Sequence, residues 1–250
     1  MTISDDTDLE KLKAIGRIVA NTLAAMGAAI EPGMTTAELD ALGRKLLDAA
    51  GARSAPEMTY GFPGATCISV NEEIAHGIPG PRVITEGDLV NIDVSAELDG
   101  FFSDTGASFA VPPASKAVER LCRDGKRALW EGLRQVRTDR PLAAIGQAIG
   151  AFALKNGYTQ VRNLASHGVG RSLHEEPKEI ATWPDRSERR RMGEGLVFTV
   201  EPFLSLGGEW AEDGGNDAWT LVSRPRAPTV QYEHTVVATR NGPLVLTLPG

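Results

Sequence analysis

One succession of elements occurs twice along this chain, and that repetition limits its possible folds more than any single motif. Before Val111 the order is helix, proline-bearing turn, helix ending at glycine, then strands, and after Val111 the same order returns. From about Asp8 to Ala28, Leu12, Ile15, Ile18 or Val19, Thr22 and Met26 recur at three- and four-residue steps, the spacing of one helix face. EPGMTTAELDALGRKLLDAAG predicts a turn and then a helix, with Thr35 or Thr36 as N-cap, Glu38 near the capping-box position and Gly51 as the stop. CISV, DLVNIDVSAEL and FFSDTGASFAV then read as strands. In the second pass Val118, Cys122, Leu129, Leu133 and Val136 share a helix face, and RTDRPLAAIGQAIGAFALKNGY repeats the turn, helix and glycine stop. Strands return at GLVFTVEPFL, AWTLVS and QYEHTVVAT. The repeat is too degenerate for a short-period solenoid. It predicts two α+β halves, about 9–111 and 112–248, facing each other within one domain over 1–250, since no Ser/Gly linker divides them. A junction of that kind offers a central cleft.

Composition narrows what the cleft can serve. A net charge of −7 argues against nucleic acid as a substrate. No run approaches the roughly 18 apolar residues of a membrane span, and the acidic start MTISDDTDLEKLK lacks the apolar region of a signal peptide. Cys67 and Cys122 are too few for a disulfide framework and suit a reducing compartment. The expectation is a soluble cytoplasmic protein with no membrane partner. DRSERRRM, residues 185–192, reads as a solvated loop.

The chemistry lies in acids placed where acids are costly. In LVNIDVSAEL, Val90, Ile92 and Val94 share one face of a strand, and Asn91, Asp93 and Ser95 share the other. Asp104 follows after the LDG turn, and a hairpin of that spacing sets the two carboxylates beside each other. Neighbouring carboxylates repel, so one is protonated or a cation lies between them. Glu201 follows the apolar run of VFTVEPF, and Glu233 and His234 interrupt a strand that is otherwise apolar. Acids inside apolar β segments are expensive unless paired or metal-bound. ASHGVGRSLHEEP adds two of the four histidines in a glycine-rich bend. Oxygen ligands with one imidazole suit a pair of divalent ions such as Mn, Fe, Co or Zn, a design that activates water.

Asp93, Asp104, His167, Glu201 and Glu233, in that order and local context, resemble the five-ligand dimetal set of the type I methionine aminopeptidases. SVNEEIAHGIPG, LVNIDVSAELDGFFSDTG, SHGVGRSLHEEP, FTVEP and QYEHTVV match that family's motifs over about Leu9 to Thr247. The resemblance implies the pita-bread fold, an α/β shell of two pseudo-symmetric halves with antiparallel β-sheet inside and helices outside. It implies a metallo-exopeptidase that removes the N-terminal methionine of nascent polypeptides through a metal-bridging water or hydroxide, with a small second residue preferred. Asp93 would chelate one ion, Asp104 and Glu233 bridge both, and His167 and Glu201 complete the set, with Glu201 also the general acid/base. His76 would lie near the substrate amine, and His174 would contact the scissile carbonyl. The implied cofactors are two divalent ions (Co, Mn, Fe or Zn). The implied partners are nascent N-terminal peptides and, transiently, the ribosome, with the enzyme a monomer. His234 points to the opposite strand face from Glu233 and reads as structural.

The pocket wall departs from the family pattern. Phe62 and Cys67 match, but Tyr60 lies one residue nearer than expected and Thr59 takes the aromatic's slot. Leu173 stands where a Phe often precedes the second histidine, and Ala75 replaces a frequent cysteine. Trp219, alone a core residue, borders the pocket by resemblance. These positions bear on side-chain preference. Two competing readings are a pita-bread aminopeptidase of other specificity, such as Xaa-Pro, and a non-catalytic pita-bread binding protein; five retained ligands disfavour the second.

Overall fold

Caps and glycines punctuate the chain. In the computed structural model, which describes residues 1–215 and 217–250, the first half contains α1 (Asp6–Ala29), α2 (Thr36–Ala49), β1 (Arg53–Ser54), α3 (Ala55–Tyr60), β2 (Cys67–Val70), β3 (Glu73–Ala75), β4 (Leu89–Leu98) and β5 (Phe101–Ala110). The second contains α4 (Lys116–Leu133), α5 (Ala143–Asn156), β6 (Thr159–Gln160), β7 (Ser166–Gly168), β8 (Glu175–Ile180), β9 (Val197–Val200), β10 (Phe203–Ser205), β11 (Trp210–Asp213), β12 (Leu221–Arg224), β13 (Thr229–Gln231), β14 (His234–Thr239) and β15 (Gly242–Val245). Thr35 caps α2 in a full capping box with Glu38, each side chain satisfying a backbone N–H that the helix leaves free. Helix α3 was not anticipated. Ser54 caps it, Pro56 sits in its first turn where no N–H is missed, and Gly61 ends it at φ +69°.

All strand pairing is antiparallel. β4 is bordered by β5 on one edge and by β1 and β2 on the other, while β15-β14-β9-β7-β8 form a five-stranded sheet. Two three-stranded sheets, β13-β10-β6 and β11-β12-β3, link these, the latter pairing β3 of the first half with β12 of the second. α1 packs on β4 and β5 over one apolar cluster that includes Leu12, Ile15, Val19, Met26, Ile92 and Val94. α4 and α5 cover a second with Leu121, Leu129, Ile145, Ile149, Phe198 and Val236. The helices thus lie outside the sheets, as the mixed α/β reading requires.

Two details differ from the sequence reading. AWTLVS forms a strand only from Leu221, because the Asp217 carboxylate accepts the backbone N–H groups of Trp219 and Thr220 and holds a turn there. Glu201 and Glu233 do not interrupt continuous strands. Each sits at a break where the chain leaves one sheet for another: β9 and β14 pair in the five-stranded sheet, β10 and β13 in a three-stranded one. Pro202 has no N–H to continue the ladder, which explains the first break. The two breaks lie side by side, so both acids emerge at one crossing point.

Candidate metal centre

The β4–β5 hairpin supplies the first two carboxylates. Its turn residues Asp99 and Gly100 both take positive φ (51° and 82°), the geometry that matches strand twist in a two-residue loop. The register sets Asp93 opposite Gly106 and Ser95 opposite Asp104, which places both aspartates on one face. The second half meets that face at the β13–β14 break. Glu233 N–H donates to Gly106 O (2.9 Å), Asp104 N–H donates to Thr235 Oγ1 (3.0 Å), and Thr105 Oγ1 donates to Glu233 O (2.8 Å).

His167 comes from β7. Its Nδ1 lies 3.0 Å from Gly168 O, an acceptor only, so Nδ1 carries the proton and Nε2 offers a lone pair to the acids. That Nε2 lies 3.5 Å from Glu201 Oε1 and 3.9 Å from Asp104 Oδ2. Thr199 Oγ1 accepts from His167 N–H and donates to Glu201 Oε1 (2.7 Å), tying these two residues together. Ligand atoms of Asp104, His167 and Glu233 all lie within 4.8 Å of one another, and all three residues are buried.

Burial drives the four acids upward: Asp93 to about 6, Glu201 to about 8, and Asp104 and Glu233 well above the usual carboxylate range, with repulsion from neighbouring acids adding to all but Asp93. Burial and the neighbouring His174 push His167 down to about 3. Among the described residues His167 is the one basic group within ion-pair distance of these acids. Asp104 Oδ1 and Glu233 Oε1 have no hydrogen-bond partner, although both are buried. Orphaned oxygens at this depth are costly, and a divalent cation is the group whose chemistry satisfies them. The donor set therefore fits the expected ions.

The site opens into a cleft of about 660 Å³ lined by Asp93, Asp104, His167 and Glu201. Tyr60, Phe62, Cys67, Leu173 and Trp219 also line it, with Phe62 edge-on to Trp219 at 5.3 Å. His76 sits in the wall at φ +54°, a backbone region few histidines occupy. His174 stacks 3.9 Å from the His167 ring, and its Nδ1 lies 2.7 Å from the Tyr60 hydroxyl. His234 is elsewhere: its Nδ1 meets Thr247 Oγ1 at 2.8 Å and its ring meets Trp130. Sequence reasoning missed Arg162, Lys178 and Trp183 in the cleft wall; Arg162 and Trp183 come from loops without a motif, and Lys178 from β8. It also missed Gln231, which touches two of the acids.

A sheet-lined cleft with buried, clustered acids and an imidazole among them fits a metal-binding site, and comparison with known proteins fixes the class and family. The model of metallopeptidase family M24 matches residues 10–240, and the chain belongs to that family. Within M24 it falls among the methionine aminopeptidases. It is 43% identical over 248 residues to methionine aminopeptidase 2 of Bacillus subtilis, covering 99% of each protein. It superposes on the crystal structure of methionine aminopeptidase from Rickettsia prowazekii with a TM-score of 0.94 at 33% identity, covering 99% of this chain and 100% of that one. The prolidase of Pyrococcus horikoshii shares the fold at 20% identity and a TM-score of 0.78, with this chain covering 64% of its length.

Proposed function

We propose that this protein removes the N-terminal methionine from nascent polypeptides in the cytoplasm, with two divalent ions held by Asp93, Asp104, His167, Glu201 and Glu233. The observation that carries this reading is the pair of buried, unpartnered oxygens on Asp104 and Glu233 in a chain of the methionine aminopeptidase group. When bound, such ions lower the pKa of water toward neutrality and polarise a carbonyl. The protein side chains do the rest. Burial raises Glu201 to about 8, close to working pH; its ionised form would take the proton of the attacking water and then, as the acid so formed, deliver it to the leaving amine. His174 faces the cleft with Nδ1 against the Tyr60 hydroxyl; with Tyr60 donating, the ring proton sits on Nε2 and is available to the scissile carbonyl oxygen. His76 faces the same space and serves the substrate amine. Phe62, Cys67, Leu173 and Trp219 give an apolar wall for the methionine side chain. A small second residue is preferred, as the resemblance to the family implies. No helix among the described residues is long and apolar enough to cross a membrane.

The test is release of the N-terminal residue from Met-Ala-Ser, Met-Leu-Ser and Ala-Pro-Ser peptides, followed by mass spectrometry with chelated and Mn-restored protein. We expect Mn-dependent cleavage of Met-Ala-Ser, slower cleavage of Met-Leu-Ser and none of Ala-Pro-Ser. Preferential cleavage of Ala-Pro-Ser would transfer the protein to the Xaa-Pro class, and no cleavage with Mn bound would leave the binding-protein reading.

A further inference from the structure

Asp93 and Glu233 come from different halves of the chain, and a single neutral side chain holds both. Gln231, the last residue of β13, is buried, and its Nε2 lies 3.2 Å from Asp93 Oδ2 and 3.0 Å from Glu233 Oε2. A side-chain amide has two N–H donors on nitrogen, so each carboxylate receives one. Each donation occupies one oxygen, which leaves Glu233 Oε1 as the orphan noted above.

The amide is held against flipping. Gln231 Oε1 accepts from Asn91 Nδ2 at 2.9 Å. Asn91 Nδ2 also approaches Ala107 O at 3.3 Å and Gln231 O at 3.4 Å, both obligate acceptors, so the asparagine cannot present its oxygen there. A flipped Gln231 would set Oε1 against two carboxylates and Nε2 against another amino group. Space for the side chain exists because residue 106 is glycine: a Cβ there would lie 2.1 Å from Gln231 Oε1. The order of control runs from the β5 backbone to Asn91, from Asn91 to Gln231, and from Gln231 to two acids.

We infer that Gln231, oriented by Asn91, is a positioning residue that fixes which oxygens of Asp93 and Glu233 are free for divalent ions. This rests on the reading that the acid cluster binds such ions. Outer partners of metal ligands of this kind typically change metal affinity by about 10- to 100-fold.

The experiment is titration of the metal-free protein with Mn(II), read by loss of the free-ion EPR signal, for the parent, Gln231→Met and Asn91→Leu. Thermal melts of the same metal-free samples show whether each variant is folded. We expect Gln231→Met to melt as a folded protein and to bind Mn(II) about 10- to 100-fold more weakly, and Asn91→Leu to weaken binding less but in the same direction. Parent-like affinity in a folded Gln231→Met overturns the inference while leaving the metal reading intact. If Gln231→Met does not fold, Asn91→Leu decides, and parent-like affinity there overturns it equally. A parent that binds no Mn(II) overturns both.

Discussion

Single side chains in this site have separable roles. Asp104 combines burial with an unpartnered oxygen. Under the proposed metal reading, Asp104→Asn is expected to lower kcat for Met-Ala-Ser by at least about a hundredfold, since it would remove an anionic ligand from the site that holds the ions. Retention of more than a tenth of parental kcat would place the ions elsewhere. Tyr60 is a subtler case. Its ring is half exposed, and its hydroxyl is 2.7 Å from His174 Nδ1. Tyr60→Phe removes one hydrogen bond of about 1 kcal/mol and is expected to lower kcat roughly fivefold with little change in KM. The opposite split, KM raised and kcat unchanged, would make Tyr60 a pocket wall only. At this scale the sequence was informative where chemistry is unusual. Asp93, Asp104, Glu201 and Glu233 were visible as acids in apolar surroundings, and His167 by its glycines. Gln231 was not, because a neutral amide near an acid carries no cost that sequence alone reveals.

At the scale of elements, the glycine stops and capping residues marked most boundaries. The Thr35–Glu38 box and Gly157, in the left-handed region at φ +78°, lie where the pattern set them. The sequence pattern runs GLVFTVEPFL and QYEHTVVAT through Glu201 and Glu233 as continuous strands, where the structure has breaks. Apolar runs do not reveal that a chain changes sheets, since both flanks are equally buried in different partners. Helix α3 was hidden because its six residues are too few to show a period. Tight packing couples elements to the cleft. In α5, a Cβ at Gly146 would lie 2.2 Å from Trp183 O, and Trp183 lines the cleft. Backbone cannot yield as a side-chain tip can, so Gly146→Ala is expected to cost about 1–3 kcal/mol of stability and to raise KM for Met-Ala-Ser. Urea unfolding within about 0.5 kcal/mol of the parent would contradict this.

For the whole molecule, the order of elements was legible from two passes of the same pattern, whereas the pairing of β3 with β12 across the halves was not, because long-range register leaves no local mark. The junction has a thermodynamic consequence. Burial raises the pKa of Asp93, Asp104, Glu201 and Glu233 in the metal-free fold, whereas the unfolded chain deprotonates them near 4. Between about pH 6.5 and 8 the four histidines, all lowered in the fold, shed their remaining protons in the unfolded chain and offset part of this effect. Asp104, Glu201 and Glu233 keep theirs in the fold, so the folded state still binds more protons than the unfolded state and stability falls as pH rises toward 8. Chelated protein is therefore expected to melt at a lower temperature at pH 8 than at pH 6.5. Mn(II) should reverse that order, because ion binding displaces those protons and strengthens as pH rises. A metal-free melting temperature that climbs over this range would show that the acids are ionised without a cation. The most direct test of the central claim is anomalous diffraction at the manganese edge from crystals grown with Mn(II). Two peaks enclosed by Asp93, Asp104, His167, Glu201 and Glu233 are predicted; a cluster without anomalous density, beside ions bound at other residues, would contradict it.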